Sequence, residues 1–82
     1  MKYSEFEKIA TQKELDTVVT PSEVVLLKED RWQVTVSSES TGVFMMRSFG
    51  YSGISKELAL AVIDFARTPW MDRDTPDGED DE

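Results

Sequence analysis

Residues 31–37 read Arg31-Trp32-Gln33-Val34-Thr35-Val36-Ser37. Trp32, Val34 and Val36 alternate with Arg31, Gln33 and Thr35. A period of two is what an extended strand needs to bury one face and wet the other. The spacing therefore predicts a strand that sets Trp32, Val34 and Val36 on a core and turns Arg31, Gln33 and Thr35 to water.

Both flanks extend this strand into a sheet. Upstream, Glu23 to Lys28 is Glu-Val-Val-Leu-Leu-Lys, an apolar, partly β-branched run too short for a helix, so a second strand is predicted. Glu29-Asp30 between the two is a tight turn, although it lacks the glycine that two-residue hairpins favour. Downstream, Ser37 to Gly42 is a polar loop and Val43 to Phe49 a third strand. Val43, Met45, Arg47 and Phe49 point one way along it, and Phe44, Met46 and Ser48 the other. Both faces carry large apolar groups, the pattern of a strand covered on both sides. Gly50-Tyr51-Ser52-Gly53 then breaks the chain.

Further out lie two helices. Ser4-Glu5-Phe6-Glu7 reads as a capping box, and Phe6, Ile9 and Ala10 form a short apolar stripe, so a first helix is expected from Ser4 to Lys13. Leu15 to Thr20 links it to the sheet, with Val18 and Val19 either beginning a strand or plugging the core. Ser55 caps a second helix in which Leu58, Ala61, Val62, Phe65 and Ala66 recur at helical spacing, and Pro69 stops it at Thr68. The fold class expected is α+β: a helix, a three-stranded antiparallel meander, and a C-terminal helix packed on the sheet. Residues 1–71 form the single domain, and residues 72–82 a disordered acidic tail broken by Pro76 and Gly78.

Composition limits the chemistry. The 82 residues contain no cysteine and no histidine, which removes thiolate nucleophiles, disulfides, Cys/His metal sites and imidazole acid–base catalysis. The carboxylate pairs of the body (Glu5/Glu7, Glu14/Asp16, Glu29/Asp30) sit in caps, surfaces and turns rather than on an apolar face that would raise a pKa. Gly50-x-x-Gly53 lacks the Lys-Ser/Thr ending of a phosphate loop. The tail acids lack the spacing of a calcium loop. No catalytic, cofactor-binding or metal-ligating set is predicted, and no cofactor.

The net charge is −8. Residues 72–82 hold seven acids and one base, a net −6, whereas residues 1–71 hold ten acids and eight bases, a net −2. Direct binding to nucleic acid is disfavoured by this balance, and attraction to a basic protein surface is favoured. The opening residues carry no signal-peptide pattern and the longest apolar run is six residues, so a cytoplasmic protein without a membrane span is expected. The candidate partner-binding residues are Trp70, Met71, Tyr51 and Arg47, with the acids Asp72, Asp74, Asp77, Glu79, Asp80, Asp81 and Glu82.

Leu58 to Asp74 (Leu-Ala-Leu-Ala-Val-Ile-Asp-Phe-Ala-Arg-Thr-Pro-Trp-Met-Asp-Arg-Asp) is an amphipathic helix followed by a basic residue, Thr-Pro and a charged segment. It resembles the C-terminus of small uncharacterised phage and prophage proteins of Gram-positive bacteria. That resemblance covers about a fifth of the chain, and Trp70 and Met71 are bulkier than the pattern. It implies a phage or prophage origin and no particular chemistry. Together these readings lead to the expectation of a small non-enzymatic accessory or inhibitor that binds a host protein, of the anti-CRISPR or anti-restriction kind. The alternative is a structural homo-oligomer, a homodimer for instance, in which the two apolar faces of the third strand meet a second subunit. An enzyme using only carboxylates, lysine, arginine or tyrosine ranks behind both.

Overall fold

The computed structural model describes residues 1–47 and 53–76. The elements are α1 (Tyr3–Gln12), β1 (Asp16–Val19), β2 (Glu23–Lys28), β3 (Arg31–Ser37), β4 (Phe44–Met46) and α2 (Lys56–Arg67), followed by one 3-10 turn, Trp70–Asp72. The four strands form an antiparallel meander in the order β1-β2-β3-β4. The α+β class is as expected, but the sheet has four strands instead of three. The extra strand is β1, in the linking stretch; of the two readings of Val18 and Val19, strand or core plug, the strand is the one found.

The end of α1 explains β1. Glu14 adopts a left-handed conformation with φ 62°, Leu15 N–H donates to the Ala10 carbonyl at 2.9 Å and Glu14 N–H to the Thr11 carbonyl at 3.0 Å. This is the Schellman reversal, built on a glutamate where glycine is usual. It buries Leu15 and sends the chain straight back along the sheet, so that the four residues from Asp16 pair with β2 at once. The start of α1 also differs from expectation. Lys2, not Ser4, is the cap residue, and its N–H donates to Glu5 Oε1 at 2.9 Å. Beginning the helix at Tyr3 brings Tyr3, Phe6 and Ala10 onto one buried stripe.

The β2–β3 hairpin turns through Glu29 (φ 52°) and Asp30 (φ 68°), both left-handed, as the twist of a two-residue loop demands even without glycine. Beyond it the register slips between Leu26 and Leu27: Leu27 faces Trp32, and Leu26 faces Val34. Gln33 is the extra residue of a β-bulge. The bulge overturns the strict alternation expected of 31–37. Trp32 shares its face with Leu27, whereas Gln33 is buried.

Both helices cover one sheet face. Two cross-strand rows line it: Val19, Val24, Val36 and Phe44, then Thr17, Leu26, Val34 and Met46. Val24, Leu26, Val34 and Val36 are fully buried there. α2 supplies Leu58, Ala61, Val62, Phe65 and Ala66, the five residues its periodicity selects, and Ser55 Oγ caps it by accepting from Leu58 N–H at 3.1 Å. The Phe6 and Phe65 rings stack between the helices, with centroids 4.3 Å apart. The third expected strand is shorter than Val43–Phe49. β4 spans Phe44–Met46, and Ser48 and Phe49 lie outside the described residues.

Arg73 closes the far end. It is 1% exposed, and its guanidinium donates to three backbone carbonyls: Nε to Thr68, Nη1 to Ser37 and Nη2 to Ala66, at 2.8 to 2.9 Å. Two of these carbonyls belong to the end of α2, where orphan acceptors and the negative end of the helix dipole favour a cation. The Arg73 carbonyl in turn accepts from Tyr3 N–H, and Asp74 pairs with Lys2 at 2.9 Å. Asp72 to Asp74 therefore belong to the folded body, not to the flexible segment expected from residue 72 onward. Residues 77–82 of that segment lie outside the described residues. Among the described residues no helix is long and apolar enough to cross a membrane.

Candidate functional site: the open face of the sheet

With both helices on one side, no helix among the described residues lies over the other side of the sheet. Its residues follow from the register. Val18, Val25, Thr35 and Met45 form one cross-strand row. Neighbouring strands lie about 4.8 Å apart, so this row crosses roughly 14 Å. Asp16, Leu27 and Trp32 form the next row. On the other side of the first row Glu23 faces Ser37, whose N–H bonds the Val43 carbonyl. Val18 is 41% exposed, Val43 53% and Met45 56%, while Val25, Leu27 and Trp32 are half-buried. The centre of the face is thus aliphatic and aromatic, with Asp16 and Glu23 at its rim.

Arg47 completes it. Its guanidinium carbon lies 3.9 Å from the Trp32 ring centre, and its Nε donates to the Trp32 carbonyl at 2.8 Å. Its backbone N–H donates to the Gln33 carbonyl, so the pairing of β3 continues to this residue after β4 ends. Stacking on an indole holds an arginine in a fixed position. Arginine and tryptophan side by side on an apolar face are the residue types that dominate binding hot spots.

Of the residues singled out in the sequence, Arg47 lies on this face. Trp70 (39% exposed) and Met71 (87% exposed) lie in the 3-10 turn with Asp72, after the C-terminal end of α2. Arg73 ties that turn to Ser37, at the opposite end of β3 from Trp32. Five residues of strand separate the two ends, roughly 17 Å, so Arg47 and the Trp70–Met71 pair do not form one site. Asp74 is engaged with Lys2. Tyr51, Asp77, Glu79, Asp80, Asp81 and Glu82 lie outside the described residues. Sequence reading missed Trp32, Val18, Val25 and Leu27 as contact residues. Strict alternation had placed Trp32 inside, and only the bulge turns it out.

The buried polar side chains among the described residues are Gln33, Ser38 and Arg73, none of them a carboxylate. No three acidic side chains among those residues come together as a metal-binding set. Comparison with known proteins gives no match: no family model, no curated protein and no solved structure matches this chain.

Proposed function

We propose that this chain is a small protein-binding module, without catalytic activity, that docks on its partner through the open sheet face. The observation that carries the reading is the face itself. Val18, Val25, Leu27, Trp32 and Met45 lie side by side across four strands, with Arg47 fixed over Trp32. A four-stranded sheet does not need exposed valine and methionine on its solvent face, and polar residues are the usual occupants there.

The partner's chemistry follows from the charges. The rim acids Asp16 and Glu23, the net charge of −8 and the five acids among residues 77–82 favour a protein whose apolar patch is ringed by lysine and arginine. Proteins that handle nucleic acid carry such surfaces. An inhibitor of a host nucleic-acid-binding system, encoded by a phage or prophage, is the narrower form of the proposal, supported by the charge and by the C-terminal resemblance. Substituting Met45→Glu places a charge in the middle of the face at an exposed position, so folding is retained and binding is lost. If two copies of the chain meet through this face instead, sedimentation shows a dimer that Met45→Glu converts to monomer, and the accessory role falls in favour of a structural one.

A further inference from the structure

A cleft on the helix side of the sheet, separate from the open face, combines features that no packing role uses. Its volume is about 160 Å³, several times the roughly 30 Å³ that one liquid water occupies. Leu15, Ile54 and Leu58 form its apolar wall, and Lys13, Lys28, Gln33 and Ser55 bring polar groups to it.

Gln33 is the telling residue. The β-bulge turns it inward, it is 7% exposed, and its side chain reaches the cleft. No hydrogen bond to a described residue engages its side-chain amide, and that amide keeps contact with solvent through the cleft. Lys28 stands at the same cleft with no carboxylate paired to it among the described residues, in a chain with 17 acids. Ser55 is the cap of α2, a 12-residue helix, and the first amides of that helix carry the positive end of its dipole. Glu57, in the first turn, is held by Lys13 at 2.8 Å.

We propose that this cleft binds a small organic anion. An oxyanion head, phosphate or carboxylate, meets Lys28, the Gln33 amide and the first N–H groups of α2, and a short hydrocarbon body lies on Leu15, Ile54 and Leu58. This site is independent of the docking face, since it lies on the opposite side of the sheet.

Titration of the isotope-labelled protein with inorganic phosphate and, separately, with butyrate tests this by NMR, with sodium chloride at matched ionic strength as control. The expected result is saturable shifts of the Gln33 side-chain amide and of the Ser55, Lys56 and Glu57 backbone amides, with butyrate also moving the Leu15 and Leu58 methyl groups. Lys28→Ala, a change at a partly exposed site, weakens binding about tenfold, as loss of one charge-assisted bond requires. Gln33→Leu weakens it similarly while leaving the rest of the spectrum in place. Shifts that follow ionic strength alone, shifts that do not saturate, or affinities unchanged by Lys28→Ala would each overturn the proposal. Saturation by phosphate without any butyrate response would remove the apolar half of the site, and the proposal with it.

Discussion

The Arg47 guanidinium lies over the Trp32 ring at 3.9 Å while its Nε bonds the carbonyl of the same residue at 2.8 Å, so one side chain clamps both ends of Trp32. A cation over an indole at a surface site contributes about 0.5–1 kcal/mol. Arg47→Ala should therefore lower stability by roughly 1 kcal/mol in urea unfolding. It should also free the indole, seen as altered Trp32 emission in a Trp70→Phe background. Emission identical to that of the parent would contradict the stacked geometry.

Arg73 makes the opposite kind of prediction, one about stability alone. Burial lowers its pKa from the usual arginine value, yet the group keeps three carbonyl acceptors, of which that of Ala66 also accepts from Gly42 N–H. Arg73→Met removes the guanidinium donors from the Thr68 and Ser37 carbonyls, while Ala66 keeps the Gly42 N–H, and should cost on the order of 2 kcal/mol. Truncation after Met71 should cost at least as much, because it also removes the Arg73 carbonyl from Tyr3 N–H.

How far the sequence announces these features depends on which interactions decide each one. The α2 stripe and the β2–β3 hairpin are legible because local periodicity and burial agree at Leu58, Ala61, Val62, Phe65 and Ala66 and at Val24, Leu26, Val34 and Val36. Trp32 and Gln33 are not legible, since a bulge shifts the alternation by one residue and exchanges their faces without changing composition. β1 is only half legible: Val18 and Val19 suit a strand, but the helix stop that frees it uses Glu14, a residue that carries no turn signal. Arg73 is hidden because its partners are backbone carbonyls 5, 7 and 36 residues away, and an acidic segment containing Pro76 and Gly78 reads as tail.

The left-handed positions offer a gain of stability. Glu14 and Asp30 adopt φ values that cost a side-chain-bearing residue about 1 kcal/mol relative to glycine. Glu14→Gly and Asp30→Gly should each raise stability by up to about 1 kcal/mol, or roughly 4–8 °C in Tm for a domain of this size. A lowered Tm in either variant would show that the turn there is held by side-chain contacts of Glu14 or Asp30.

Alkaline pH should weaken the fold in part through Tyr3. Burial first, and then the Glu7 carboxylate to which its hydroxyl donates, raise the Tyr3 pKa above the ordinary value of 10.0. The folded state holds the phenol proton longer than the unfolded state does. Stability is therefore complete below pH 10 and declines as pH climbs through the raised value, because the unfolded chain loses its proton first. Tyr3→Phe should flatten this decline relative to the parent. Lys2, raised by its hydrogen bond to Asp74, adds to the same alkaline loss and persists in the variant.

The open face is tested most directly by comparing three forms of the immobilised protein for retention of a soluble partner: the parent, Met45→Glu, and Leu60→Glu on the exposed side of α2. Met45 and Leu60 are equally exposed, at 56%, so the two variants differ only in which surface carries the new charge. The parent and Leu60→Glu should retain a protein, basic around its binding patch and released by salt, that Met45→Glu does not. Retention undiminished by Met45→Glu, or lost with Leu60→Glu instead, would contradict docking through the open face.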